Sequence, residues 1–397
     1  MINITERSYL KYILFGNLYF SEGLQITLAA VIVPIYLLDK GISIPIATLV
    51  AGLAAAPWYL KFIIAPIIDH FYSIGKKPFI IIGGLLGAIG LFLLIFIDPF
   101  ISLLPFALVL FISHLGIVFL DVSCDGWAIQ ISQENERGKI NGAMTAGLFA
   151  GMTVASSVLA SIAEIYGYYL CFFVGGIIIL TTIILPLITR DGKLLKRKEK
   201  IISILKEEFK KRSTQLIALY SSVQGIGFGL LIFAIPLYMK IILQMDVGQI
   251  GLVMSMYPIT LVIGSLIGGT LADKWGRKII LYIFISISIV FSASLIFANN
   301  WQMVAIIYGI IGFLQGGGLY AAGGALLMDN CNPTIGTTQY SIYASITNFS
   351  EFGMGSISGS LVTILGFSRV FIFSAWSLGP ALIILYFIKS KKINVNN

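Results

Sequence analysis

Gly269-Thr270-Leu271-Ala272-Asp273-Lys274-Trp275-Gly276-Arg277-Lys278 separates two apolar stretches, 249 to 272 and 279 to 298. A related segment, Pro66-Ile67-Ile68-Asp69-His70-Phe71-Tyr72-Ser73-Ile74-Gly75-Lys76-Lys77, separates two others, 45 to 68 and 78 to 97. Each combines an acid near a helix end, a glycine that can turn the chain, and basic residues that resist entering a bilayer. The acid can also meet the exposed N–H groups of a neighbouring helix start. Both segments therefore read as tight connections between membrane helices, on the side of the membrane where cations collect.

Working outward, the two connections belong to a repeat. Asp69 and Asp125 recur as Asp273 and Asp329 at an offset of 204, and Gly75-Lys76-Lys77 recurs as Gly276-Arg277-Lys278 at 201. Gly23, Pro34 and Tyr36 recur as Gly225, Pro236 and Tyr238 at 202. Small drifts of this kind are what loop insertions produce. Apolar stretches near 12 to 37, 45 to 68, 78 to 97, 103 to 130, 140 to 163, 168 to 189, 215 to 240, 249 to 272, 279 to 298, 301 to 328, 339 to 364 and 368 to 388 are each long enough to cross a hydrocarbon core of about 30 Å. The expected fold is an all-α membrane protein of twelve transmembrane helices in two pseudo-symmetric six-helix bundles. Residues 1–189 form the first bundle, 190–212 a cytoplasmic linker and 213–397 the second.

Composition agrees. The 397 residues are 58% hydrophobic and 11% charged, with a mean hydropathy of +0.95, whereas a soluble domain is about 25% charged. The first apolar stretch is too long for a signal-peptide core and is expected to remain as a span. Two His and three Cys (Cys124, Cys171, Cys331) without zinc spacing give no metal site or disulfide framework. The net charge of +8 does not indicate nucleic acid, because ten of the 26 Lys and Arg lie between Arg190 and Arg212 and most others flank apolar stretches. With both termini in the cytoplasm, only Lys40, Lys240 and Arg369 fall outside, and Lys61 stays within the second span. In the linker, Ile201, Ile202, Ile204, Leu205 and Phe209 among Lys and Glu predict an amphipathic helix on the inner membrane surface.

Ionisable residues at membrane depth face a cavity or a partner. In the fourth stretch Asp121 and Asp125 follow His114 by seven and eleven residues, which at about 100° per residue puts all three on one helical stripe. Glu22 sits about 15 Å into the first helix and Lys61 about 12 Å into the second. Lys61 is expected to pair with Asp121 or Asp125. Residues without a counterpart in the other half carry the chemistry peculiar to this chain: Asp121 corresponds to Ala325, Lys61 to Ser265, His114 to Gly318, Glu22 to Gln224 and Glu351 to Phe149. Glu22, Asp121, Lys61 and His114 are the proton-coupling candidates. Gln25, Trp58, Gln224, Gln315, Tyr320, Asn348 and Glu351 are candidates for the solute. Asp125 and Asp329, being symmetric, read as part of a cytoplasmic latch.

The two opening segments resemble the signature loop of the major facilitator superfamily, and with twelve helices and a central loop the likeness covers the chain. It implies a latch between halves formed by Asp69, Lys76, Lys77, Asp273, Arg277 and Lys278, and Arg137, Asp125 and Asp329 are further latch candidates. Trp58-Tyr59-Leu60-Lys61-Phe62, Ala65-Pro66, Asp121-x3-Asp125-x-Trp127, Glu136-Arg137-Gly138 and Thr338-Gln339-Tyr340 resemble the AmpG-type permeases and the related acetyl-CoA transporters. That subfamily moves muropeptides or acetyl-CoA, and its permease branch implies proton coupling. Two residues depart: Glu22 replaces a small polar residue and Glu351 a basic one. The expected function is a secondary active transporter, not an enzyme, taking up a small organic solute with protons by alternating access. Alternatives are a proton-driven exporter of cationic or amphipathic compounds, and a receptor or scaffold without turnover. The expected partners are the solute, protons and the lipid of the inner membrane, with no cofactor, metal or nucleic acid and the chain a monomer.

Overall fold

The computed structural model describes residues 8–71, 74–132, 136–189, 201–332 and 335–388. Ten helices among these are long and apolar enough to cross a membrane: Tyr9–Asp39, Lys77–Leu94, Leu103–Ile131, Lys139–Tyr166, Tyr168–Ile188, Arg212–Ile241, Val247–Trp275, Arg277–Phe297, Trp301–Asp329 and Phe367–Phe387. They occupy the first, third to tenth and twelfth of the expected stretches. The second and eleventh stretches are also helical but differ physically. The second is broken into Ile44–Ala54, Ala56–Tyr59 and Lys61–His70. Pro57 lacks the N–H that would continue the ladder and its ring crowds the preceding turn, so the chain kinks there. The eleventh, Gly336–Leu365, is continuous over 30 residues but carries Gln339, Asn348, Glu351 and several serines. The two helices that fall short of simple apolar spans thus hold Lys61 and Glu351.

The chain forms two compact units, Met1–Arg197 with Met245–Ser255, and Lys198–Gln244 with Met256–Asn397. In the first unit the first helix packs along the fifth, the third along the fourth, and the sixth against the third. The second unit repeats these pairings: seventh with eleventh, ninth with tenth, twelfth with ninth. The repeat read from scattered residues is therefore a repeat of packing. Gly75 and Gly276, the glycines of the two connections, have φ of 87° and 96°, a left-handed conformation open to glycine at little cost.

The fourth helix is reversed relative to a helix of a soluble protein. On the fourth helix Leu104, Leu108 and Ile112 are exposed, while Ser113, His114 and Asp121 are buried. Apolar side chains facing lipid and polar ones facing the bundle are the pattern of a membrane interior.

The linker helix, Ile201–Glu208, packs with the second unit. The Phe209 ring lies 6.1 Å from Tyr343, and Glu208 Oε1 accepts from Asn332 Nδ2 at 2.6 Å and pairs with Lys211 Nζ at 2.6 Å. Lys211, and then Asn332, hold the Glu208 carboxyl below the usual carboxylate range. A carboxyl depressed on folding contributes stability above its unfolded value and loses it as pH falls through the folded one. Hydrogen exchange of the backbone at 205–211 is expected to be slow at pH 7 and, after correction for intrinsic rates, to quicken below the ordinary Glu value of 4.5. Asn332→Ala should give faster exchange already at pH 7.

Candidate functional site

In the first unit Tyr19 and Glu22 stand three residues apart on one face of the first helix, and Asp121 and Asp125 four apart on the fourth, spacings that align side chains. The kink of the second helix presents Trp58 and Lys61 to them. Lys61 Nζ lies 2.5 Å from Asp121 Oδ2 and 3.9 Å from Glu22 Oε1. It also sits over the Trp58 ring, 4.7 Å from the centroid. Trp58 Nε1 donates to His114 Nδ1 at 3.2 Å, which assigns the His114 proton to Nε2 in a neutral imidazole. The Tyr19 hydroxyl donates to Asp125 Oδ1. Glu22 is 6% exposed and Asp121 1%.

Two carboxylates, Glu22 and Asp121, therefore share one lysine, with the carboxyl of Asp125 one turn away on Tyr19. Their hydrogen bonding is incomplete: Glu22 Oε2, Asp121 Oδ1 and His114 Nε2 are buried without a hydrogen-bond partner among the described residues. Gln25 adds an outer contact, donating from Nε2 to Ser113 Oγ at 3.0 Å, with Ser113 Oγ donating to the Gly87 carbonyl at 2.7 Å. Asp125, expected at the latch, is placed one turn from Asp121 and held by Tyr19. Tyr19 was not among the expected residues; its i, i+3 relation to Glu22 was the available signal.

The second unit contains a cavity of about 150 Å³ among the seventh, tenth and eleventh helices. Tyr320, Asn348 and Glu351 line it, joined by Ser221, Tyr340 and Thr347. Gln224 and Gln315 are not among its lining residues: Gln224 Nε2 donates to the Tyr220 hydroxyl, and Gln315 Oε1 accepts from Tyr257. Close approach of the seventh and eleventh helices fixes the position of Glu351, since a Cβ on Gly229 would lie 2.0 Å from the Glu351 carbonyl oxygen. In the tenth helix the wide turns from Gly316 to Gly323 depart from α geometry, a feature frequent at functional sites.

A family model, the Major Facilitator Superfamily, matches residues 16–222 and 217–397. The chain belongs to the major facilitator superfamily. It is an integral, multi-pass membrane transporter of that family. Over 400 residues it is 25% identical to a protein of Rickettsia conorii named as transporter AmpG 4, covering 94% of this chain and 95% of the relative. It is 23% identical to the anhydromuropeptide permease of Escherichia coli over 84% of this chain and 71% of that one. The crystal structure of the nucleoside transporter NupG superposes with a TM-score of 0.74 at 15% identity, covering 97% of this chain and 99% of that one. At that identity the superposition speaks for the fold alone.

Arg277 forms an ion pair with Asp329 and donates from Nη1 to the Ala325 carbonyl at 2.8 Å. In the first unit Lys76, the counterpart of Arg277, runs beside Gly126 of the fourth helix. Lys77 Nζ donates to the Thr189 carbonyl at 2.7 Å, and Lys278 Nζ to the Ile388 carbonyl at 2.8 Å. Each lysine thus caps the end of the last helix of its own unit, satisfying carbonyls that have no intrahelical donor. Asp273 is exposed and makes no ion pair among the described residues. The side chains of Asp69 and Arg137 lie outside the described residues.

Proposed function

We propose that this facilitator is a secondary active transporter that takes up a small organic solute with protons by alternating access, and that Glu22, Asp121, Asp125, Lys61 and Tyr19 form its coupling site. The observation that carries the reading is the charge imbalance of three carboxylates around one lysine at membrane depth. With all three ionised the cluster holds two uncompensated negative charges in a poorly polarisable medium, an arrangement that favours entry of a proton or another cation. Neutralising Glu22 or Asp121 weakens its hold on Lys61, so protonation changes which ion pair the second helix makes. An ion pair with two states of this kind biases a conformational equilibrium. His114, neutral behind Trp58, positions the indole against Lys61.

Supporting the uptake reading are the permease relatives. Their named cargo, anhydromuropeptides in Escherichia coli, is not carried over, since Glu22 and Glu351 add negative charge where a carboxylate-bearing solute would pass. The same reading places both termini in the cytoplasm, the chain in the inner membrane as a monomer, and needs neither cofactor nor catalysis. The test is flux into proteoliposomes with an imposed pH gradient. Acid outside should accelerate uptake by the wild type, and Glu22→Gln should abolish that acceleration while leaving exchange at equal pH. A wild type indifferent to the gradient would contradict the proposal.

A further inference from the structure

The cavity of the second unit has a composition that the coupling site does not use. Glu351 is aligned with Asn348 and Thr347, three and four residues earlier on the eleventh helix, so all three share a face. Opposite stand Ser221 of the seventh helix and Tyr320 of the tenth, and Tyr340 completes the lining. No Lys, Arg or His is among the lining residues. Glu351 makes no ion pair among the described residues, and Ser221 Oγ is buried without a hydrogen-bond partner among them. Gly323 and Gly324 line the wall without side chains, which leaves the space open. The cavity therefore offers one carboxylate, an unused hydroxyl and phenol rings whose faces attract cations, with nothing to balance the carboxylate.

We infer that this cavity is a binding site for the ammonium group of a small organic cation, with Glu351 as its counter-ion and Tyr320, Tyr340, Ser221 and Asn348 around it. The inference rests on the transport reading only in making that cation the solute; the binding itself does not depend on turnover. A cavity of about 150 Å³ has room for several water molecules at about 30 Å³ each, and so for a headgroup such as ethanolamine or choline. An anionic group there would face the carboxylate directly. A neutral group would leave Glu351 without a partner of opposite charge, an expensive state inside a bundle.

The test uses the purified full-length chain in detergent and equilibrium binding of labelled choline, with unlabelled ethanolamine and 3,3-dimethylbutan-1-ol as competitors. The last reproduces the shape of choline without its charge. Saturable choline binding, displaced by ethanolamine and about tenfold or more less readily by the alcohol, is expected from one charge-assisted contact. Glu351→Gln should weaken choline by about tenfold or more, whereas Glu207→Gln, exposed on the linker helix and paired with Lys210, should leave it unchanged. Absence of saturable binding by both cations, equal competition by the alcohol, or full affinity in a folded Glu351→Gln protein would each overturn the inference. The comparison of choline with the alcohol needs no variant, so misfolding cannot obscure it. Choline binding in a protein whose proteoliposomes show no gradient-driven flux would sustain the cation site and remove the transport reading; gradient-driven flux of a neutral solute without choline binding would do the reverse.

Discussion

Lys61→Met is expected to be the most damaging single substitution in the first unit. It removes the one cation that Asp121 and Glu22 approach, at 2.5 and 3.9 Å, and leaves these two buried carboxylates and the part-buried Asp125 with only Tyr19 as a donor to any of them. Removing one partner of a buried pair destabilises by about 3–5 kcal/mol, because the other charge stays behind uncompensated. Replacing both partners is far milder. Lys61→Met/Asp121→Asn should therefore recover much of the loss, which is a non-additivity that a double-mutant cycle reads directly. The measurement is the thermal midpoint in detergent, with monodispersity on gel filtration as a second readout. If Lys61→Met alone were as stable as the wild type, the lysine would not be neutralising the cluster.

Gly23→Leu is expected to be comparably severe, for reasons of space. A Cβ at position 23 would lie 1.8 Å from the Leu148 carbonyl oxygen and 2.8 Å from the Met152 amide nitrogen. Those atoms belong to the backbone of the fifth helix, so no rotamer change relieves the clash and the two helices must separate. Close backbone packing between small residues is a principal source of helix association in a bilayer, where lipid removes the hydrophobic drive. The expected loss is about 3 kcal/mol, the upper part of the range for overpacked cores. Gly142→Leu on the same fifth helix is the control, since a Cβ there meets nothing within 4 Å. Its midpoint should stay within a degree or two of wild type, while Gly23→Leu should fail to accumulate as a monodisperse species. A tolerated Gly23→Leu would mean that the first and fifth helices are not held this closely.

The residues that made the fold legible were those whose physical demands are local. A glycine needed at positive φ, acids near helix ends and cations kept out of the bilayer all leave marks in the chain, and Gly75, Gly276, Asp273 and Arg277 carried them. The pairing of Lys61 with Asp121 was also readable, because a lone lysine at membrane depth needs an acid. What remained hidden depended on tertiary placement. Lys77 and Lys278 read as latch cations, yet each reaches carbonyls more than a hundred residues later, at the end of the last helix of its unit. Tyr19 resembled every other aromatic in an apolar span until the first helix was set against the fourth. The counterparts Asp125 and Asp329 have different partners: Asp329 meets Arg277, and Asp125 has Tyr19 as its hydrogen-bond donor. A repeat preserves backbone packing more faithfully than it preserves side-chain partners. Asp121 and Glu351, unmatched in the other half, illustrate the converse, since they occupy the two polar sites.

The central claim is that the carboxylate cluster on the first and fourth helices links a proton to solute movement. It is tested most directly by proton uptake itself. Purified protein in weakly buffered detergent is mixed with solute, and the proton stoichiometry is read from a pH indicator across a pH series for wild type, Glu22→Gln and Asp121→Asn. Solute-linked proton uptake by the wild type, reduced or lost in both variants while Glu351→Asp retains it, is the predicted result. Unchanged proton uptake in both Glu22→Gln and Asp121→Asn would contradict the account.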